Sequence, residues 1–163
     1  MVRVLCFNRR KYMRNRGFEI VSCYKQKNIK LPQRKTQASA GYDIAAAEKI
    51  TLLPQQVTLI PTGLKAYMKS NEYLGIHIRS GLSIKKSVAL INGQGIIDAD
   101  YYNNPDNEGH IMIAVINLNK EPIIIEQGMR VAQGIFYNYL LADEDNANKV
   151  GAVRIGGMGS TGE

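Results

Sequence analysis

Short apolar runs, each cut off by Gly, Pro or Asn within a few residues, constrain this chain more than any other feature. "FEIVSCY" (18–24), "VTLI" (57–60), "LKAYM" (64–68), "YLGIHI" (73–78), "IMIAVINL" (111–118), "PIIIE" (122–126) and "RVAQGIFYNYL" (130–140) are rich in β-branched and aromatic residues. Between them stand "LPQRKT", "PTG", "NNPDNEG" and "EQG". Segments of this kind predict strands joined by turns. No long stretch keeps a helical period, and "SGLSIKKS" (80–87) alone suggests a short helix. There is no internal repeat. The pattern predicts an all-β fold, a sandwich or barrel of the jelly-roll type. A chain of 163 residues is long enough for one domain with a sizeable core.

The net charge of +7 suggests a nucleic-acid binder, but its distribution argues otherwise. Residues 1–35 hold eleven Lys and Arg against the single acid Glu19, whereas residues 36–163 hold ten basic and thirteen acidic residues. The basic signal therefore belongs to one end, and a basic end is more often a solvated arm than a polyanion site. Residues 1–16 are expected to be a basic extension outside the core, 17–142 the β domain, and 143–163 a flexible C-terminal arm. No apolar run approaches the length that spans a membrane, and "VRVLCF" is too short for a signal-peptide core. Cys6 and Cys23 lack metal-ligand spacing and are expected to be free thiols, which with the missing signal points to the cytoplasm.

Polar residues gather in five places, each beside an apolar stretch: "AGYDIAA" (40–46), "RSGLSIKK" (79–86), "NGQGIIDADY" (92–101), "GMRVAQGIF" (128–136) and "RIGGMGSTG" (154–162). Gly and Ser expose backbone amides there, and Arg79, Ser80, Lys85, Arg130, Gln133 and Arg154 add donors, which is the composition of a phosphate cradle. Asp43, Asp98 and Asp100 are candidates to hold magnesium or orient a water. In "GIIDADYY" (95–102), a continuous strand would put Ile96, Asp98 and Asp100 on one face. Asp100 has an alternative reading as a structural carboxylate tying down a turn. "GGMGSTG" lacks the Lys of a Walker A loop. His77, between Ile76 and Ile78, is expected to face solvent or another subunit; neither His77 nor His110 stands in a Ser-His-Asp arrangement.

Taken together and in order, the five segments resemble the motifs of the trimeric dUTPase family, over about Gly17 to Gly162. The resemblance implies a jelly-roll homotrimer with three active sites between subunits. It also implies hydrolysis of dUTP to dUMP and pyrophosphate with magnesium, which keeps uracil out of DNA and supplies dUMP for thymidylate synthesis. Asp98 matches the acid that orients the attacking water, and Tyr101 the tyrosine that lies against the deoxyribose. Asn92, with Gly95 and Ile97 of the same hairpin, matches the uracil-reading segment. Arg79, Ser80 and Gly81 match phosphate contacts, and Gln133 the glutamine near the α-phosphate. Asp43 matches the acid that reaches the metal through water. Arg154, Met158, Gly159, Ser160 and Thr161 match the arm that closes over the nucleotide.

Three departures from the family stand out. Met158 replaces an aromatic residue that stacks on uracil. Arg154 stands four residues before Met158, where many members have five. "YNNPDNE" (102–108) is an insertion of about six residues before Gly109. The competing readings are a dCTP deaminase of the same fold, and a dUTPase-fold protein that offers the 102–108 insertion to a regulatory protein partner. Neither a membrane nor a specific nucleic acid is implied.

Overall fold

A computed structural model describes residues 14–145. Eleven strands and one helix follow in chain order: β1 (Gly17–Ile20), β2 (Tyr42–Ala45), β3 (Ile50–Leu52), β4 (Val57–Pro61), β5 (Leu64–Tyr67), β6 (Glu72–Ile78), α1 (Ser80–Lys86), β7 (Val88–Leu90), β8 (Gly95–Asp98), β9 (Met112–Asn117), β10 (Ile123–Ile125) and β11 (Arg130–Asn138). A four-stranded sheet runs β2-β11-β6-β8 and a three-stranded sheet β4-β9-β7, with the pairs β1-β5 and β10-β3 beside them. Every pairing between these strands is antiparallel. The expected all-β, jelly-roll-like fold is the one observed.

Alternation along the strands makes the core. In β6, Leu74 and Ile76 point inward between Tyr73, Gly75 and His77; in β9, Ile113, Val115 and Asn117 are buried and their neighbours are not. Both sheets feed one apolar cluster that includes Ile44, Leu52, Ile60, Leu74, Ile113 and Val131. Side chains two apart share a face, so one face of each strand can be buried while the other carries polar groups. The buried amide of Asn117 is satisfied: Nδ2 donates to the carbonyls of Leu52 and Glu121, and Oδ1 accepts from the Asn119 N–H. Without those partners a buried amide costs roughly 1–3 kcal/mol.

The strands depart from the sequence reading in places where local pairing overrides composition. "FEIVSCY" stops being a strand at Ile20, because Val21 N–H bonds to Gly63 O and residues 22–24 wind into a 3-10 turn. Tyr24 is thereby buried against Val21 and Ala47. "RVAQGIFYNYL" ends at Asn138, and Leu140 beyond it is almost wholly exposed. The strand over 95–98 does not continue to Asp100. Ala99–Tyr101 form a 3-10 turn, so Asp98 and Asp100 do not share a strand face, and Ile96 is 58% exposed rather than buried. Helix α1 forms where expected, with Lys85 and Lys86 in its last turn and Ser87 in the left-handed region at its end.

Arg16 bonds Glu72 through Nε (3.0 Å) and Arg14 bonds Glu19 (2.7 Å), so the chain is tied to the β domain from these residues onward. The Arg16 guanidinium holds the Glu72 carboxyl below the usual carboxylate range. The remainder of the basic N-terminal stretch, residues 1–13, lies outside the described residues. Among the described residues no helix is long and apolar enough to cross a membrane, and Cys23 is an exposed free thiol.

His110, just before β9, accepts the Gly63 N–H through Nε2 at 2.9 Å and packs on the Tyr24 ring. That bond requires an unprotonated Nε2. Burial lowers the pKa of the imidazole, and the nearby Glu48 and Glu108 offset this only in part. A histidine with a depressed folded-state pKa contributes stability that is intact above its unfolded value, about 6.5, and is lost as pH falls below it. The melting temperature should therefore fall between pH 7.5 and pH 5.5. In His110→Gln the fall should be smaller, as read by thermal unfolding across that range.

Candidate active site

The register of the four-stranded sheet places one row of polar side chains on its outer face. Gln133 of β11 stands opposite Asp43 of β2 on one side and opposite His77 of β6 on the other. Their sequence neighbours Ile44, Ala132 and Ile76 point into the core. The side chain of Gln133 lies across Gly41, where a Cβ would come within 2.5 Å of its Oε1, so a larger residue there would push the Gln133 amide aside. His77 Nε2 lies 3.1 Å from the Tyr137 hydroxyl and 3.1 Å from Gln94 Nε2. The expectation that His77 faces solvent or a second subunit is thus refined: it is half-buried and bonded within its own chain.

Asp43 joins two arginines. Its Oδ1 accepts from Arg79 Nη1 at 2.6 Å and its Oδ2 from Arg130 Nη1 at 2.8 Å. Asp43 and Arg79 are both largely shielded from solvent, which strengthens charge-assisted bonds of this kind. Arg79 is thereby fixed at the start of α1, whose first residues, Ser80 and Gly81, are exposed. Arg130, one of the donors expected of a phosphate cradle, belongs to this cluster, but its pairing with Asp43 was not foreseen. Its partner lies 87 residues away, and only the bulged pairing of β11 with β2 brings the two together.

The second cluster is a cleft of about 200 Å³ beside the loop between β7 and β8, which pair with β9 and β6 in different sheets and so do not form the hairpin expected from the sequence. Asn92, Gly95, Ile97 and Tyr101 line it together with Leu90 and Met112. Tyr101 is 6% exposed; its hydroxyl donates to His110 O at 3.1 Å and accepts from Asn107 Nδ2 at 2.9 Å. Asp98 falls between two lining residues, Ile97 and Tyr101, and pairs across to Tyr73, so its side chain shares the outer face with Tyr73, whose ring stacks on Tyr137. Tyr73 and His77 are four residues apart on β6, about 13 Å along the strand. One chain therefore holds Asp98 at one end of this face and Asp43, Arg79 and Gln133 at the other, while the cleft, lined also by Ile76 and Ile113, runs beneath β8.

The 102–108 segment is only in part the free surface expected of an insertion: Asn103, Pro105 and Asp106 are exposed, but its other residues are tied down. Asn104 is 5% exposed, and Glu108 bonds Lys65 (3.1 Å) and both the N–H and hydroxyl of Ser22. The Lys65 contact holds the Glu108 carboxyl below its usual range. Of the expected site residues, Arg154, Met158, Gly159, Ser160 and Thr161 lie outside the described residues.

A dUTPase family model matches residues 27–162. A deoxyuridine 5'-triphosphate nucleotidohydrolase of Lactococcus lactis subsp. lactis is 51% identical over 150 residues, spanning 92% of this chain and 99% of its own length. The crystal structure of dUTPase from Streptococcus mutans superposes with a TM-score of 0.74 at 45% identity, covering 78% of this chain and 98% of that one. A point mutant of the dUTPase from the Staphylococcus aureus phage phi11, described as coordinating a structural Mg(II) ion, shares the fold at 21% identity and a TM-score of 0.67, over 82% of this chain and 97% of its own. These likenesses mark a nucleotide-hydrolysing protein. The chain belongs to the dUTPase family.

Replacing Asp43 by Ala leaves Arg79 and Arg130 side by side without their shared acceptor. Hydrogen bonds to charged groups contribute about 1.5–3 kcal/mol, so the variant should lose stability of that order in urea unfolding.

Proposed function

We propose that this protein hydrolyses dUTP to dUMP and pyrophosphate. The observation that carries this reading is the nucleoside-sized cleft itself: the loop between β7 and β8, Tyr101 and the Asp98-bearing strand end converge there in a chain of the dUTPase family. Backbone groups of 92–97, with Asn92, meet the uracil edge, and the Tyr101 ring lies against the deoxyribose, where a 2′-hydroxyl has no room. Asp98 orients a water toward the α-phosphorus. The water oxygen forms the new bond to phosphorus, the bond from that phosphorus to the oxygen shared with the β-phosphate breaks, pyrophosphate leaves, and Asp98 takes the proton. Phosphoryl transfer asks the protein mainly for positioning and charge neutralisation, so a half-buried carboxylate held at the strand end suffices.

Arg79, Ser80, Gly81 and Gln133 bind the phosphates, and Asp43 aims Arg79. The separation of about 13 Å along β6 supports a homotrimer in which these groups meet the cleft of a neighbouring subunit. The exposed Ile96 on the face between the two clusters supports the same assembly. Arg154, Met158, Gly159, Ser160 and Thr161, in the 143–163 arm, cover the bound nucleotide, while residues 1–16 serve as an extension to the 17–142 domain. The cytoplasm is the compartment that fits dUTP as substrate.

Magnesium fits these residues in one way. Among the described residues no three His, Cys, Asp or Glu side chains converge as a metal cage. Both Asp43 oxygens keep lone pairs beyond their arginine bonds, which suits an ion carried in by the triphosphate and held through its water. Bound so, it neutralises phosphate charge.

Pyrophosphate release from dUTP, dCTP, dTTP and UTP, compared side by side, tests the reading. Turnover of dUTP alone supports it; deamination of dCTP, or no turnover at all, removes it. Asp98→Asn should keep nucleotide binding and lose roughly two to four orders of magnitude in kcat. Subunit exchange between Asp98→Asn and Arg79→Ala proteins, each inactive, should restore activity at about a quarter of the sites if the two residues meet across a subunit boundary. A mixture that stays dead after confirmed exchange puts both residues in the same chain's site.

A further inference from the structure

The 102–109 loop turns back onto Tyr101 through two asparagines. Asn104 Oδ1 accepts the N–H groups of Asp106 and Asn107, and its Nδ2 donates to Tyr101 O and Asn107 Oδ1, all between 2.9 and 3.1 Å. Asn107 Oδ1 also accepts the Gly109 N–H at 3.0 Å. With its oxygen so occupied, the Asn107 amide has one orientation, and Nδ2 is left facing the Tyr101 hydroxyl at 2.9 Å. The hydroxyl in turn donates to His110 O, so its proton is committed and its position is set from two sides. Gly109 closes the loop at φ +80, and a Cβ there would lie 2.4 Å from Tyr101 O. On the outside, Tyr102 donates to Glu19 at 2.6 Å, and Lys65 donates to Asn103 and Glu108. The loop is thus anchored outward to β1 and β5 and inward to a single aromatic side chain.

We propose that Asn107 is a positioning residue for sugar discrimination: held by Asn104 and Gly109, it pins the Tyr101 ring as a rigid wall of the cleft. This rests on reading Tyr101 as the surface against the deoxyribose. Apolar packing alone rejects an added hydroxyl by only about 10²-fold, and a wall that can retreat rejects it less. The insertion therefore serves specificity from behind the wall, without touching the nucleotide.

The test is a double-mutant cycle read as the ratio of kcat/KM for dUTP to that for UTP, in Asn107→Asp, Tyr101→Phe and the combination, with melting temperatures alongside. Asp at 107 keeps the oxygen that Gly109 and Asn104 use but puts an acceptor where the Tyr101 hydroxyl needs a donor. The ratio should fall about tenfold in Asn107→Asp. In the Tyr101→Phe background, where no hydroxyl remains to be held, the same change should alter it by less than about twofold. Lys65→Met, which loosens only the outer anchorage, should lower the melting temperature and leave the ratio at its wild-type value. An unchanged ratio in Asn107→Asp, an equal fall in the Tyr101→Phe background, or an equal fall in Lys65→Met overturns the proposal. If Asn107→Asp does not fold, Asn107→Ser carries the same comparison. A wild-type protein that does not prefer dUTP removes the functional reading itself, a failure seen before any variant is made.

Discussion

Strand β11 is bonded on both edges, to β2 and to β6, and its register decides which residues of all three strands face water. With Gln133 opposite Asp43 and His77, the alternating set Ile44, Ala132 and Ile76 goes to the core and the polar set to the outer face. A slip of β11 by one residue would turn Gln133 toward the core and Ala132 to the outer face, out of step with Asp43 and His77. The same register brings Arg130 and Arg79 to the two oxygens of Asp43. Folding the core and assembling the Asp43 cluster are therefore one event, secured by the burial of apolar side chains.

The other half of the site is built differently. Its wall, Tyr101, stands in a 3-10 turn rather than a strand, and no ladder bond fixes its ring. Its place comes from side-chain amides and the His110 carbonyl. His110 is itself held by the Gly63 N–H and by packing on Tyr24. A chain of contacts thus runs from the turn after β1, through His110, to the Tyr101 ring. It works only while the imidazole is neutral, so acid conditions strain the cleft as well as the fold.

The long strands were legible because alternation repeats over enough residues to be seen: β6, β9 and β11 follow their apolar runs closely. β2, β3 and β7 escaped notice because three or four residues carry too little pattern, and what makes them strands is a partner distant in sequence. Asp98, Ser80 and Gln133 could be singled out from residue type and order. The pairing of Arg130 with Asp43 and that of Asn107 with Tyr101 could not. The first involves a carboxylate 87 residues away, and the second a hydroxyl whose direction depends on a turn that composition does not reveal. The 102–108 segment was legible in part: Asn103, Pro105 and Asp106 are exposed as their composition suggests, but Asn104 uses all its hydrogen-bonding capacity inside.

That saturation bears on how such a loop can change over generations. Asn104, Asn107 and Gly109 satisfy one another, so removing any one leaves buried donors or acceptors bare, at roughly 1–3 kcal/mol each. Trimming the segment residue by residue would pass through forms less stable than either end point. Descendants of this chain should keep the segment whole or lose it in a single deletion, so its length should vary among relatives in one jump while its interior stays fixed.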